Sequence, residues 1–425
     1  MALAAALFLL TDSAAAAETD WTALRQIDIA HQGGEDEAPS NTMYAYERAL
    51  RLGADMLEVD VHTTADGRLV VLHDGTVDRT TNGSGSVYDM TLKQARALDA
   101  AYNFVPGESA QSGRPAADYV FRGVRTGKRE PPPGFKRRDF RITTLGEVMR
   151  AYPDVPINIE IKGASDADVA SYLRNAEALA AFLNRLGRTE GIIVASFHDE
   201  ALQRFHQLAP EIDMAPAVGA VAAYKFGHVP PPEGTVAFQV PTEFEGVTVR
   251  EFVERAHGDG YAVHVWTIND EQTMRQLLGW GTDGIMTAQP MRLERVLCRS
   301  GTKRPDRPAS VPGRHCNRHA SIACEVDPVR AKRNGSRVRV ILRRRDEFSG
   351  KCAGRLRLAS PAARGREVAR FSFGWHPPSE DGPAKRTVRL ELSPHLRRAA
   401  EESKKVRIAA HPYGAFVARE RLRLR

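Results

Sequence analysis

Apolar and polar positions follow two different periods along residues 26–290. Short β-branched or apolar runs recur there, and stretches with the 3.6-residue period of amphipathic helices separate them. Nine runs are candidate strands: QIDIAH, DMLEVDVH, LVVLHD, PINIEIK, GIIVASF, DMAPAV, VAFQV, YAVHVWTI and DGIMT. Strands that alternate with helices predict parallel βα units.

One of these runs does not fit a parallel sheet. Asp66 and Gly67 join LEVDVH to LVVLHD and form a two-residue hairpin signal, whereas parallel neighbours need a crossover of about a dozen residues or more. LVVLHD is therefore expected to run antiparallel to the second strand, with His73 opposite Asp60. The remaining eight strands predict an α/β fold, a TIM (βα)8 barrel, with this hairpin returning to the rim where such barrels have their active sites.

The predicted strands carry chemically active side chains at their carboxyl ends. These are His31 on the first strand, Glu58 and Asp60 on the second, His73 and Asp74 on the hairpin strand, and Glu160 and Lys162 on the third. Residues spaced by two share one face of a strand. One such pair alone is typical of a solvated strand edge, but several pairs on otherwise apolar barrel strands are expected to converge at one mouth.

Three carboxylates without a nearby cysteine predict a site for one hard divalent cation, Ca2+ or Mg2+, rather than zinc. Such a cation neutralises and polarises phosphoryl oxygens, and Lys162 adds a point charge. Two histidines can then act as base and acid on opposite sides of a phosphorus atom. Together these groups predict the cleavage of a phosphodiester.

Seven motifs occur in a fixed order along this region: AHQGG with APSNT, GADMLEVDVHTTADGRLVVLHD, DRTTNGSG, ITTLGEVM, INIEIK, VHVWTIN and GTDGIMTAQP. In this order they resemble the glycerophosphodiester phosphodiesterases, over roughly residues 26–297. The resemblance implies hydrolysis of glycerophosphodiesters to an alcohol and glycerol 3-phosphate. It also implies that a neighbouring glycerol hydroxyl can attack phosphorus and that water then opens the cyclic phosphate.

The resemblance assigns roles to individual residues. It implies His31 and His73 as the catalytic acid and base, Glu58, Asp60 and Glu160 as the metal ligands, and Lys162 as a phosphate contact. An apolar wall for the glycerol or alcohol moiety is expected from Trp266 and Phe197, and packing in the core is the alternative for both.

Two positions depart from the family pattern. Gln32 stands where the family usually has arginine, and Ser40 where it usually has glutamate. Gln32 can donate a hydrogen bond to the phosphate but brings no charge. Phosphate binding is therefore expected to depend more on the cation and on Lys162.

The chain is expected to contain more than the barrel, which is assigned to residues 22–298. Residues 102–141 are too long for an ordinary connection and are expected to fold over the mouth as a substrate-shaping insertion. Residues 299–320 are rich in Pro, Gly and Ser and predict a linker. Period-two runs over residues 321–425 predict an all-β sandwich of six or seven antiparallel strands, with a weak resemblance to the immunoglobulin-like β-sandwiches appended to exported enzymes.

Charge divides the chain at the same boundary. Residues 300–425 hold 31 Lys and Arg but 12 Asp and Glu, a net charge of +19, which leaves −12 for residues 1–299. The basic domain predicts an anionic partner, such as an acidic membrane surface or a phosphate-bearing cell-wall polymer. Nucleic acid is the least expected of the anionic partners, because few aromatic residues accompany the basic strands. The alternative is an arginine-rich surface that is exposed to solvent and binds no partner.

The N-terminal segment of the sequence points to export. MALAAALFLLTDSAAAAETD has a short apolar run and then an alanine-rich segment that resembles a cleavage site, so residues 1–17 predict a signal peptide and a secreted or cell-surface protein. A frayed N-terminal helix is the alternative. In an exported protein the four cysteines predict two disulfides; the pairs Cys298–Cys316 and Cys324–Cys352 are favoured because each closes a short loop.

Two other functions are weaker alternatives. A phospholipase D-like enzyme of the related barrel superfamily would cut lysolipids or sphingolipids to a cyclic phosphate. A catalytically weak binding module would instead use the barrel without turnover and hold the protein on a cell surface. Gln32 is the only support for such a module, because a pure binder has no use for two histidines at the rim.

Overall fold

The structure is a computed structural model that describes residues 19–132, 134–242 and 249–316, together with the backbone of seven strands between residues 326 and 423. The predicted signal peptide lies outside the described residues. Among the helices that are described, none has the length and apolar character that crossing a bilayer requires.

Eight parallel strands form a closed barrel. They are β1 Ile27–Ala30, β2 Met56–Thr63, β3 Ile157–Ile161, β4 Ile192–Ala195, β5 Asp213–Met214, β6 Ala237–Pro241, β7 Ala262–Trp266 and β8 Gly284–Thr287. Consecutive strands from β1 to β5 pair in parallel, β6 pairs with β7, β7 with β8, and β8 with β1. A parallel bridge between Met214 and Thr235 joins β5 to the chain just before β6. The predicted TIM barrel is confirmed.

The described residues include nine α-helices. They are α1 Met43–Leu52, α2 Leu92–Ala97, α3 Leu145–Ala151, α4 Val169–Leu186, α5 Asp199–Leu208, α6 Val218–Gly227, α7 Val249–Gly258, α8 Glu271–Gly279 and α9 Pro290–Ser300. Local sequence sets the bounds of α1, because the Thr42 side chain accepts from the Ala45 N–H at its start and the left-handed Gly53 ends it.

Alternation along the strands separates the inside of the barrel from its outside. Ile27 and Ile29 of β1 pack with Met56 of β2 and with residues of the other strands inside the barrel. Side chains of opposite phase, such as Val59, pack against the helices. Both faces of each strand are buried, as expected for a parallel sheet. Since Glu58 and Asp60 share the phase of Met56, they point inward.

The hairpin differs from the prediction by one residue. Leu69–Val71 runs antiparallel to β2, as expected, but Val71 pairs with Val61, and the Leu72 N–H donates to the Asp60 carbonyl. Asp60 therefore lies opposite Leu72 and not opposite His73. The turn has three residues, with Gly67 at a left-handed φ of 67°, a common alternative to the two-residue turn.

The insertion packs against α1. It contains the short strands Phe104–Val105 and Ser109–Ala110 and the 3-10 helix Arg137–Phe140. Its aromatic rings surround Tyr44 of α1, and the rings of Tyr44 and Phe140 stack with centroids 4.7 Å apart. Burial of these rings anchors the insertion to α1.

Residues 301–316 form a docked strap where a linker was predicted. The Arg304 guanidinium contacts Asp55 and lies 2.6 Å from Glu294. Arg307 donates to the Ala54 carbonyl at 2.8 Å, so it satisfies an acceptor just beyond the end of α1. The disulfide Cys298–Cys316 is present, as predicted, and joins α9 to the end of the strap. Its Pro, Gly and Ser content predicted a linker, and two of its arginines fix it to the barrel.

Seven further strands are described beyond the strap: Val326–Asn334, Arg337–Arg344, Cys352–Ala359, Glu367–Trp375, Lys385–Glu391, Lys405–Pro412 and Ala418–Arg423. They pair antiparallel in one three-stranded and one four-stranded sheet. The packing of these sheets as an immunoglobulin-like sandwich stays a prediction, and the pairing of Cys324 with Cys352 lies outside the described residues.

Candidate active site

A cavity of about 250 Å³ opens at the carboxyl ends of the barrel strands. Its polar lining includes His31, His73, Asn158, Glu160, Lys162 and Gln239, and its apolar lining includes Ala195, Phe197, Val218, Pro241, Trp266 and Met286. Six of the nine predicted site residues therefore line one cavity. Polar groups come mainly from the β1–β3 side and apolar groups mainly from β4 to β8.

A cluster of three carboxylates lies at this cavity. One oxygen from each of Glu58, Asp60 and Glu160 lies within 4.8 Å of the others. The pairing of β2 with β3 explains the cluster, because it places Asp60 opposite Glu160 and Glu58 opposite Asn158. Glu58 and Asp60 are fully buried. The predicted convergence of the three acidic residues is confirmed.

Burial and mutual repulsion shift the protonation of this cluster. Burial raises the pKa of Glu58 well above its ordinary value, and the neighbouring Asp60 carboxylate raises it further. Burial also acts on Asp60, but the charges of Lys162, His73 and His31 outweigh it and keep the pKa of Asp60 below its ordinary value. The buried Glu58 Oε1 has no hydrogen-bond partner among the described residues. Three acidic oxygens this close favour a cationic ligand.

His31 lies in the 3-10 turn that follows β1. Left-handed backbone at Gln32, Gly33 and Gly34, with φ of 50°, 80° and 88°, folds the chain back at this point. A Cβ at Gly33 would lie 2.8 Å from the Ala45 Cβ of α1, so only glycine fits there. These residues turn the chain tightly and place the imidazole at the cavity.

Carboxylates hold a proton on His31. Its Nδ1 lies 2.6 Å from Glu35 Oε1. Burial alone lowers the pKa of His31, but Glu35 and Glu58 outweigh it and raise the pKa to about 10. The imidazole is thus protonated at neutral pH and can donate a proton.

The backbone of Gln32 has a role of its own, apart from the role predicted for its side chain. Its N–H donates to Glu58 Oε2 at 2.6 Å and so orients that carboxylate. The Gln32 side chain is 4% exposed and does not line the cavity. Its contact with phosphate stays a prediction.

His73 is oriented from both sides. Its Nδ1 lies 2.7 Å from Asp74 Oδ1, and Arg79 donates two hydrogen bonds to the same carboxylate. A carboxylate only accepts, so Nδ1 carries a proton. Lys162 Nζ lies 3.3 Å from this Nε2, 2.7 Å from Glu160 and 3.4 Å from Asp60. The Lys162 ammonium only donates, so Nε2 of His73 is an acceptor at the cavity.

The apolar wall contains the two predicted aromatic residues. Phe197 and Trp266 meet edge to face with centroids 5.6 Å apart. Phe197 is 48% exposed, so it is not a core residue. The insertion contributes no lining residue within its described part. Its predicted position over the mouth stays a prediction.

Several supporting residues were not identified from the sequence. Asn41 donates to Asp60 at 2.9 Å, and Glu35 pairs with His31. Gln239 donates to Asn158 at 2.7 Å on the cavity wall. Asn158 and Gln239 are polar residues on otherwise apolar strands, the signal that identified Glu58. Glu35 and Asn41 lie in loops and carry no such signal.

Comparison with known proteins identifies the family. Residues 31–292 match the model of the glycerophosphoryl diester phosphodiesterase family. The chain belongs to this family. A glycerophosphodiester phosphodiesterase from Caldanaerobacter subterraneus subsp. tengcongensis is 30% identical over 282 residues, which cover 65% of this chain and all of the relative. One from Bacillus altitudinis is 30% identical over 275 residues, covering 63% of this chain and 96% of the relative.

A solved structure agrees on the fold. The crystal structure described as a glycerophosphoryl diester phosphodiesterase from Silicibacter pomeroyi superposes with a TM-score of 0.51 at 23% identity, and the match covers 66% of this chain and 95% of that one. Membership of the glycerophosphoryl diester phosphodiesterase family confirms the resemblance inferred from the motifs. The enzyme is accordingly a phosphoric diester hydrolase of the glycerophosphodiester phosphodiesterase type.

Proposed function

We propose that the barrel is a metal-dependent hydrolase that converts glycerophosphodiesters to an alcohol and glycerol 3-phosphate by histidine acid–base catalysis. The observation that carries this proposal is the convergence of His31, His73 and Lys162 on one cavity beside the carboxylate cluster. Family membership supports the substrate class. The mechanism is inferred from the hydrogen-bond partners of each group.

The three carboxylates fit a hard divalent cation. Glu58, Asp60 and Glu160 offer only oxygen donors, which Ca2+ and Mg2+ prefer. The buried and unpartnered Glu58 Oε1 supports this assignment, since an orphaned acidic oxygen is costly without a ligand. When bound, the cation would neutralise and polarise the phosphoryl oxygens. Lys162, which already neutralises part of the cluster, would contact the same phosphate.

The hydrogen-bond partners of the two histidines favour opposite roles. Nε2 of His73 takes the proton from the attacking glycerol hydroxyl or water as its oxygen bonds to phosphorus. The bond from phosphorus to the leaving oxygen breaks, and the protonated His31 gives its proton to that oxygen. His73 accepts through Nε2, the ring nitrogen that Asp74 does not bind, and His31 donates the proton that Glu35 stabilises.

Product analysis tests this function. Purified protein is offered glycerophosphocholine with Ca2+ or with Mg2+, and in parallel with excess chelator. Release of choline and glycerol 3-phosphate that stops with chelator supports the proposal. Undiminished turnover in chelator contradicts the metal assignment, and no release from any glycerophosphodiester contradicts the substrate class.

A second candidate substrate is favoured by the apolar wall. Phe197 and Val218 are 48% and 53% exposed at a cavity that Trp266 also lines. Apolar side chains left exposed at a cavity suit an acyl chain or another apolar leaving group. A lysolipid is therefore the second arm of the same assay. Faster cleavage of the lysolipid than of glycerophosphocholine would favour the phospholipase D-like alternative.

Export and attachment to an anionic surface complete the proposal. The disulfide Cys298–Cys316 supports an oxidising compartment, in agreement with the predicted signal peptide. The net charge of +19 over residues 300–425 supports binding to acidic lipid or to a phosphate-bearing wall polymer. Cell fractionation and sedimentation with anionic vesicles test both parts, and recovery in the cytosol or equal binding to neutral vesicles contradicts them.

A further inference from the structure

A chain of polar side chains lies beside the catalytic groups without lining the cavity. His62 comes from β2, Tyr88 from the 3-10 turn Val87–Asp89, and Asn175 from α4. His62 and Asn175 are fully buried. Buried polar groups are costly unless hydrogen bonds satisfy them, and here each one is satisfied by the next.

The donor and the acceptor of every hydrogen bond in this network follow from the backbone groups at which the network ends. The Thr63 N–H donates to Asn175 Oδ1 at 3.0 Å, so Asn175 Nδ2 is the donor to the Lys162 carbonyl at 2.7 Å and to Tyr88 Oη at 2.9 Å. Tyr88 Oη lies 2.6 Å from His62 Nδ1, and His62 Nε2 lies 3.1 Å from the His73 carbonyl. That carbonyl only accepts, so His62 Nε2 donates, and His62 Nδ1 accepts from the Tyr88 hydroxyl.

The network ends on the backbones of two active-site residues. One branch holds the Lys162 carbonyl and the other holds the His73 carbonyl, and the side chains of these residues meet with Nζ 3.3 Å from Nε2. The two residues lie on different elements, the hairpin and the end of β3. Their relative position therefore depends on groups that connect these elements.

We propose that His62, Tyr88 and Asn175 are positioning residues, which hold the His73 and Lys162 backbones so that the His73 imidazole and the Lys162 ammonium meet in the cavity. The proposal rests on the proposed function for its effect on turnover. A displacement of about 1 Å in a catalytic group costs about 100-fold in rate, and loss of an outer partner of a metal site typically costs about 10- to 100-fold.

Tyr88→Phe is the most conservative test. It removes only the hydroxyl and keeps the ring, which packs edge to face on His62 with centroids 5.5 Å apart. We expect kcat on glycerophosphocholine to fall about 10- to 100-fold, with KM within about twofold of wild type. Tyr119→Phe is the matched control, because it removes another hydrogen-bonded hydroxyl, at a buried position in the insertion. Tyr119→Phe should lower the free energy of unfolding by about as much as Tyr88→Phe and should keep the wild-type kcat.

A pair of substitutions at His62 separates positioning from packing. In His62→Gln the amide can still accept from Tyr88 and donate to the His73 carbonyl, whereas His62→Leu can do neither. We expect His62→Gln to keep most of the wild-type kcat and His62→Leu to lose as much kcat as Tyr88→Phe. Equal kcat in the two variants would contradict a role for the hydrogen bonds.

The ring signals of His73 give a readout that does not need turnover. Imidazole NMR signals, assigned to His73 by their loss in His73→Ala, should shift or broaden in Tyr88→Phe and stay unchanged in Tyr119→Phe. Unchanged His73 signals and a kcat within about twofold of wild type in Tyr88→Phe would overturn the proposal. If the wild type hydrolyses no diester, the proposed function fails, and the His73 signals still decide the positioning role.

Discussion

His264 gives a quantitative test of burial inside the barrel. It lies on β7 in the inward phase of Ala262 and Trp266, is fully buried, and packs so closely on β8 that a Cβ at Gly284 would come within 2.7 Å of its ring. Burial lowers the pKa of His264 to about 4, and no neighbouring charge opposes this. The ordinary pKa of a histidine is about 6.5, so the folded protein keeps this ring neutral where the unfolded chain protonates it.

The sign and size of the effect follow from linkage. Because the pKa of His264 is lower in the folded protein than in the unfolded chain, the unfolded chain takes up the proton first as the pH falls. The free energy of unfolding is therefore fully retained above about pH 6.5 and decreases as the pH falls towards 4. The loss is about 2 kcal/mol at pH 5 and about 3 kcal/mol at pH 4. His264→Gln has similar volume and no titrating group in this range. We therefore expect the wild type to lose about 3 kcal/mol more stability than His264→Gln between about pH 7 and pH 4.

Urea unfolding at a series of pH values measures this difference. His228→Asn is the matched control, because His228 is exposed and its left-handed φ of 54° suits asparagine. The control should differ from wild type by the same free energy at every pH. Parallel curves for wild type and His264→Gln would refute the reasoning, since they would mean that His264 takes up its proton in the folded barrel as easily as in the unfolded chain.

Four further outcomes are expected. Glu58→Gln should raise the cation concentration needed for half-maximal activity, because it removes an anionic oxygen ligand; an unchanged metal titration would contradict this. His31→Ala and His73→Ala should each lower kcat by about 10²–10⁴-fold with the fold intact by circular dichroism, and near-normal turnover would withdraw that histidine's role. Gln32→Arg should lower KM for glycerophosphocholine, since one hydrogen bond to a charged group contributes about 1.5–3 kcal/mol; a rise for every substrate would contradict it. Arg304→Met should cost about 3–5 kcal/mol in urea unfolding, because it removes the guanidinium that the buried carboxylates Asp55 and Glu294 share; a loss below about 1 kcal/mol would mean that the strap is not docked in solution.

Sequence periodicity predicted the barrel because its strands repeat one physical pattern. Each strand is apolar on both faces, and the exceptions, such as Glu58, Asp60 and Glu160, mark the inward face at the carboxyl ends. The pairing of β2 with β3 then brings these residues together. Spacing by two along a strand thus carried most of the information about the site.

Contacts that depend on the course of loops were not available from the same pattern. The hairpin register was wrong by one residue, because a three-residue turn at Gly67 replaced the expected two-residue turn. The docking of the strap was not predicted, because its Pro, Gly and Ser content is also typical of solvated segments. Only the fold shows that Arg304 and Arg307 face buried acceptors at one end of the barrel.

Two buried carboxylates three residues apart show how the fold distinguishes structure from function. Asp55 and Glu58 are both shielded from water, and burial alone would raise the pKa of each. Arg304 and His315 reverse the effect at Asp55, whose pKa is lowered. At Glu58 the nearest charges include Asp60 and Glu160, so its pKa is raised well above the ordinary value. Folding has thus provided a counter-charge for one carboxylate and has collected further carboxylates around the other, as expected where a cationic ligand completes the site.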